Sequence, residues 1–186
     1  MSLNAYDLSA GLFIRGLTNL KSHLAKAQDH AAASGIGEAA LLSAPLASEA
    51  LGPGDAIAAS ADLHRYPLAA HVHWAAEGAM SAIARMQGVQ RVPAANDATS
   101  LSQLRERLDA TIAYLSKVAA EDLEAGLDRA IVIEHRRGSM HSDGRQFLIA
   151  FAIPHFFYHV TTAYGILRNQ GVPLTMGDFL GNWTAS

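Results

Sequence analysis

Nine histidines stand against fourteen Lys and Arg in this chain of 186 residues. Two of them, His155 and His159, are four positions apart. On a helix that interval is one turn, so both imidazoles can face a common centre. Neutral imidazole is the commonest protein ligand for zinc and similar ions, and a pair at i and i+4 fixes two ligands on one rigid element. A third ligand must come from another element, and His71 and His73 lie together upstream. On a helical wheel His71 borders an apolar stripe, beside Leu68 and Gly78, whereas His73 falls away from it, near Glu77. His71 is therefore the better inward candidate and His73 its alternate. Three histidines on two helices would leave coordination positions open for water or substrate, as catalytic sites do. An ion there would lower the pKa of bound water or activate a thiol. The same residues support a plainer role. Inward histidines also hydrogen-bond to hydroxyls in helical cores, and Tyr158, Thr161, Thr162 and Tyr164 are at hand.

Other chemistry is thinly represented. The absence of cysteine excludes disulfides, thiolate zinc sites and a cysteine nucleophile. No GxSxG, GxxxxGK[ST], GxGxxG or HExxH motif occurs. His23, His30, His64, His135 and His141 sit in contexts expected to be solvated surface. Glu77 is expected on a solvated helix face, with a supporting role beside a ligand or as a general base as the alternative. Phe156, Phe157 and Tyr158 fit core or dimer-interface packing better than a cofactor site.

The elements that must position these groups are helical. Half of the residues are apolar, Ala contributes the largest share, and Ala-rich helices can approach one another closely. A first helix is expected from about Asp7 to Ala33, with Phe13, Leu17, Leu20, Leu24 and Ala27 on one stripe and Gly35 and Gly37 at its end. Ser43–Tyr66 is weakly patterned and contains Gly52-Pro53-Gly54, which marks an excursion from the main body. A second helix starts at Pro67 and runs to about Gln87, stopped by Gly88. Val89–Thr99 is long enough to cross the molecule. Ser100 and Gln103 form a capping-box pattern, and the third helix follows with Leu101, Leu104, Leu108, Ile112, Leu115 and Ala119. The β-branched run Ala130–Ile133 before Arg137-Gly138 predicts a small hairpin. The last helix runs from about Asp143 to Asn169, with Leu148, Phe151, His155, His159, Thr162 and Ile166 on one stripe and a kink at Pro154.

This is the pattern of one all-α domain over residues 1–186, an antiparallel four-helix bundle. The net charge is -3 with no basic cluster, which argues against a nucleic-acid partner. No apolar stretch approaches the ~20 residues of a membrane span, and the start lacks the pattern of a signal peptide. The expectation is a cytoplasmic protein without a membrane partner.

The opening Ala5-Tyr-Asp-Leu-Ser-Ala-Gly-Leu-Phe-Ile-Arg-Gly-Leu17 resembles the start of an uncharacterised bacterial family in the DinB/YfiT-like superfamily. The close resembles it too, in Pro154-His-Phe-Phe-Tyr-His-Val-Thr-Thr-Ala-Tyr-Gly-Ile-Leu-Arg168, Gly171-Val-Pro-Leu174 and Asp178-Phe-Leu-Gly181. The resemblance spans nearly the whole chain. It implies a four-helix bundle with a long crossover between helices two and three, a homodimer, and a divalent metal such as zinc or nickel. In many relatives one histidine of the second helix and an HxxxH pair of the last hold the ion, which here points to His71, or His73, with His155 and His159. Arg168 falls where the later arginine of that helix often lies. Characterised relatives imply a metal-dependent hydrolase or thiol transferase that takes a small thiol. The rival function is a non-catalytic homodimer, or a small-ligand-binding protein with a histidine-containing core. Two departures stand out. The family often has asparagine in place of the first histidine of the last helix, and its second helix usually carries a histidine near Gly78. The 47–66 segment is also longer than the family's usual connection.

Overall fold

The computed structural model describes residues 4–46, 66–135 and 138–182. Of the expected excursion only residues 43–46 and Tyr66 are described, and residues 47–65 lie outside the described residues. Its two flanks are nevertheless tied together: Pro45 bridges Pro67, and the Leu68 N–H donates to the Ala44 carbonyl at 2.9 Å.

The chain begins with a π-helical turn, Asp7–Gly11, that runs directly into helix α1, Leu12–Ser34. Phe13, Leu17, Leu20, Leu24 and Ala27 of α1 are fully buried, as their spacing predicts. Gly35 ends the helix in the left-handed region at φ 72°, a conformation that costs glycine little. A short α2, Glu38–Ser43, follows. Helix α3, Leu68–Gln87, is capped by Pro67 and closed by Gly88, also at φ 72°.

Residues 89–99 have no regular structure and lie along the molecule, held by side chains: Arg91 pairs with Glu77, and Arg107 with the Ala95 carbonyl and Asp97. Helix α4, Leu101–Leu115, starts at Ser100, whose hydroxyl accepts the Gln103 N–H at 3.1 Å. The Gln103 side chain reaches back one residue farther than a standard capping box, to the Thr99 N–H at 2.7 Å. The helix ends four residues before the expected Ala119, and a separate α5, Ala120–Gly126, takes up the chain.

The expected hairpin is present: β1, Ala130–His135, pairs antiparallel with β2, Gly138–Asp143, placing Val132 opposite His141. Asp143 then caps α6, Gly144–Phe147, by accepting the Gln146 N–H at 2.7 Å. A π-helical turn, Leu148–Ala152, links α6 to α7, Ile153–Asn169. Finally α8, Met176–Leu180, begins in a full capping box between Thr175 and Asp178.

The fold is mainly helical with one small hairpin. The four longest helices pack on one another, α3 on α7 and α4, and α1 on α4 and α7. Phe156 lies at the centre of the α1–α7 contact. Its ring lies 4.8 Å from that of Phe13, and a Cβ on Gly16 would come within 2.6 Å of it. Glycine at 16 is thus required for that approach.

The expected kink at Pro154 takes a different form. The π turn ends at Ala152, so Pro154 falls in the first turn of α7, where its missing N–H is not needed. The wider turn also shifts the face. Leu148, Ala152, Phe156, His159, Ala163 and Ile166 are buried, whereas Phe151, expected inside, is 37% exposed. The continuous helix Gly144–Asn169 is long and apolar enough to cross a bilayer by length and composition, against the expectation from the sequence. Its inner face nevertheless forms a wall of the core, against α1 and α3.

Candidate functional site

Antiparallel packing of α3 on α7 brings three of the singled-out histidines together. His71 is fully buried and His159 is 3% exposed. Their Nδ1 atoms face each other at 3.0 Å, so one ring donates its Nδ1 proton to the other. His155 comes next along α7, with ring centroids 4.7 Å from His159, while those of His159 and His71 are 5.1 Å apart. Burial drives the His159 pKa down to about 3, helped by its two histidine neighbours. Burial alone lowers that of His155. At neutral pH the rings of His155 and His159 are uncharged. Tyr66 and Tyr158 close the other sides of His71, at 6.4 and 6.0 Å between centroids. Thr162, a sequence candidate for a hydroxyl partner, instead donates to the Tyr158 carbonyl.

The three do not share one environment. The His155 ring stacks nearly parallel on Phe151, 5.4 Å between centroids, and lies against the backbone of Gly78. A Cβ there would be 3.0 Å from its Nδ1. His155 therefore occupies the edge of the helix–helix seam rather than its interior. Beyond it opens a pocket of about 200 Å³ between α3 and α7, walled by Trp74, Gly78 and Ala82 on one side and Phe147, Phe151 and Ala152 on the other. Ile133 of β1, Pro93 of the 89–99 segment, and Glu77, Ser81 and Arg85 of α3 complete it.

Glu77 corrects its expected position: it is buried rather than solvated, at 4% exposed, and His73, the alternate ligand, is buried beside it at 2%. His73 faces away from His71 and meets the Arg107 guanidinium at 3.2 Å. Burial depresses its pKa, against the opposing charge of Glu77. Glu77 is held by Arg91 in a two-pronged ion pair at 2.6 and 2.7 Å. Burial alone would raise its pKa, but the Arg91 hydrogen bonds and charge outweigh that and hold it below the ordinary 4.5. The wheel sets both residues off the apolar stripe, and they are buried there because the 89–99 segment and Arg107 fold over that face of α3.

His23 is a second correction. Expected on the surface, it is fully buried, with Nε2 donating to the Asp178 carbonyl at 3.0 Å and its ring against Tyr164. It fixes α8 to α1. His30 is half-buried beside Gly171, and His141 is exposed as expected. His64 and the side chain of His135 lie outside the described residues. Phe156 is core, Phe157 is half-buried and Tyr158 is 37% exposed. Arg168 lies over the Tyr164 ring, 5.7 Å from its centroid.

The donor types of His71, His155 and His159 suit a zinc-like ion, but their placement does not. Among the described residues no three of His, Cys, Asp or Glu are grouped so as to hold a metal. The two closest nitrogens share a proton at 3.0 Å, whereas two imidazoles on a tetrahedral ion at about 2.1 Å would hold theirs about 3.4 Å apart. A metal on those two nitrogens and the hydrogen bond between them exclude each other. Residue types and spacing revealed the trio. Nothing in the sequence marked the pocket, because Trp74, Gly78, Ala82 and Phe151 come from two distant segments and look like ordinary core or surface.

Comparison with known proteins agrees with the fold. The family model described as Domain of unknown function (DUF1993) matches residues 5–180. Among solved structures, that of a DinB family member protein from Shewanella denitrificans is similar with a TM-score of 0.80 and 28% identity. The match covers 97% of this chain and 94% of that one. No curated protein matches the chain. The chain belongs to the DUF1993 family.

Proposed function

We propose that this DUF1993 member, built like a DinB family protein, binds a small organic molecule in the pocket between α3 and α7. The supporting observation is the position of His155, a neutral ring on the wall of an apolar cavity rather than inside the His71–His159 seam. A neutral imidazole presents one donor and one acceptor, enough to orient a hydroxyl, carbonyl or thiol. The aromatic and aliphatic walls supply the apolar contact that small-molecule sites use for affinity. About 200 Å³ is below the ~300–1,000 Å³ of typical ligand pockets, so the ligand is small. The four long helices, acting as one bundle, keep the two walls at a fixed spacing. Trp74 lines the cavity and reports on it. A ligand shifts its emission, and Ser81→Phe, which fills the cavity from α3, removes that response. If Ser81→Phe leaves binding intact, the ligand sits elsewhere.

A second reading, a hydrolase or thiol transferase dependent on zinc or nickel, is supported by the run of three imidazoles in contact across two helices. It requires the His71–His159 hydrogen bond to open, with a small thiol or water as the co-reactant. Elemental analysis of protein purified without a histidine tag or added metal separates the two. One metal per chain, lost in His155→Ala, favours the metal enzyme; metal-free protein that still binds its ligand favours the pocket. A homodimer completes the proposal on the strength of the family resemblance. Sedimentation as a monomer at micromolar concentration would remove the dimer.

A further inference from the structure

We infer that the ligand of this pocket is a small organic anion, an apolar body carrying a carboxylate or phosphate that Arg85 recognises. The inference rests on the pocket being a ligand site and names the class it takes. Trp74, Gly78, Ser81 and Arg85 follow one another along a single stripe of α3, so the cavity runs lengthwise beside that helix. From Gly78, where His155 touches α3, to Arg85 is seven residues, about 10 Å along the axis at ~1.5 Å per residue. The cavity thus has two polar ends with aromatic and aliphatic walls between them.

The ends differ in charge. At the His155 end the carboxylate of Glu77 is already neutralised by Arg91. At the other end the Arg85 guanidinium is exposed and makes no hydrogen bond or ion pair with any described residue. Ser81, one turn before it, also points no bond at another described residue. A second, more polar recess of about 380 Å³ continues past Ser81, Arg85 and Pro93 to Arg91 and Gln90, and no carboxylate lines it. The chain as a whole carries a net charge of -3, so a mouth with arginine and no available acid is a local reversal of sign. Such a cleft attracts anions, and a guanidinium fork matches a carboxylate or phosphate in shape. An anion seated on Arg85 and Ser81 would extend its apolar body between Phe147, Phe151 and Ala82, with its far end at His155.

Trp183→Phe leaves Trp74 as the one tryptophan of the chain. Emission of that protein is titrated with octanoate, octyl phosphate, octanol and octylamine. The anions are expected to bind about tenfold or more tighter than octanol, as a hydrogen bond to a charged group provides, with octylamine weakest. Arg85→Gln is expected to bring the anions to the level of octanol and to leave octanol unchanged. The tighter of octanoate and octyl phosphate identifies the head group. Equal binding of octanol and both anions, tighter binding of octylamine, or an Arg85→Gln protein that keeps its preference overturns the anion while the pocket stands. No saturable response to any of the four removes the pocket itself.

Discussion

His155 and His159 are the same residue type, one turn apart on one helix, yet the fold gives them opposite surroundings. His159 is sealed in the α3–α7 seam with its Nδ1 bonded to His71. His155 leaves the seam, stacks on Phe151 and lines a cavity. The difference comes from what the facing helix offers at each level. Opposite His159, α3 presents another imidazole; opposite His155 it presents Gly78, whose missing Cβ lets the ring lie on bare backbone. The π turn at Leu148–Ala152 adds to this by rotating Phe151 outward to serve as the ring's stacking partner. Spacing places two side chains on one face of a helix. How deep each one goes is decided by its neighbour.

The strongest way to break the comparison is to truncate each histidine in turn. His159→Ala opens a void in the seam and deprives His71 of this hydrogen bond, for a loss of about 3 kcal/mol in denaturant unfolding. His155→Ala, at the edge, is expected to cost about 1 kcal/mol or less and to weaken ligand binding instead. Equal losses would mean that both rings are structural.

Glu77→Gln acts next, at about 2 kcal/mol, because it leaves Arg91 half-buried without its counter-charge and releases the 89–99 segment that carries Pro93 into the pocket wall. It also tests a sign. The folded pKa of Glu77 lies below its ordinary 4.5, so the unfolded chain takes up the proton first. The pair's contribution is complete above pH 4.5 and is lost as pH falls below it. The stability of Glu77→Gln is expected to fall less steeply over that range.

Gly78→Ala sharpens the contrast with a smaller effect. Alanine favours the helix by about 1 kcal/mol, while its Cβ, 3.0 Å from His155 Nδ1, forces the ring to give way. Net stability is expected to change by less than about 1 kcal/mol, with ligand affinity reduced. A smaller effect still belongs to His23. Its folded pKa is below the ordinary 6.5, so it favours the fold above pH 6.5 and that advantage is lost as pH falls toward the folded value. Proteolysis after α7 is expected to quicken in that range as α8 loosens.

Much of the fold was legible because its signals are local. The α1 stripe, the Gly35 and Gly88 stops, the Ser100 cap and the hairpin each depend on residues within a turn or two. The DinB-like family was legible from the two ends of the chain, and the convergence of His71 with His159 from helical spacing. What was missed is non-local. Glu77 and His23 looked exposed because their covers, the 89–99 segment and α8, carry no periodicity that assigns them a docking face. The π turn was read as a proline kink because one extra residue in a turn leaves no compositional mark.

The central claim is that the cavity beside His155 takes a small organic ligand without help from a metal. Trp74 emission of the Trp183→Phe protein, titrated with an alkyl probe before and after dialysis against EDTA, tests it most directly. One saturable site per chain, with affinity unchanged by EDTA and lost in Ser81→Phe, is the predicted result. A response that disappears with EDTA and returns with added zinc or nickel would contradict it.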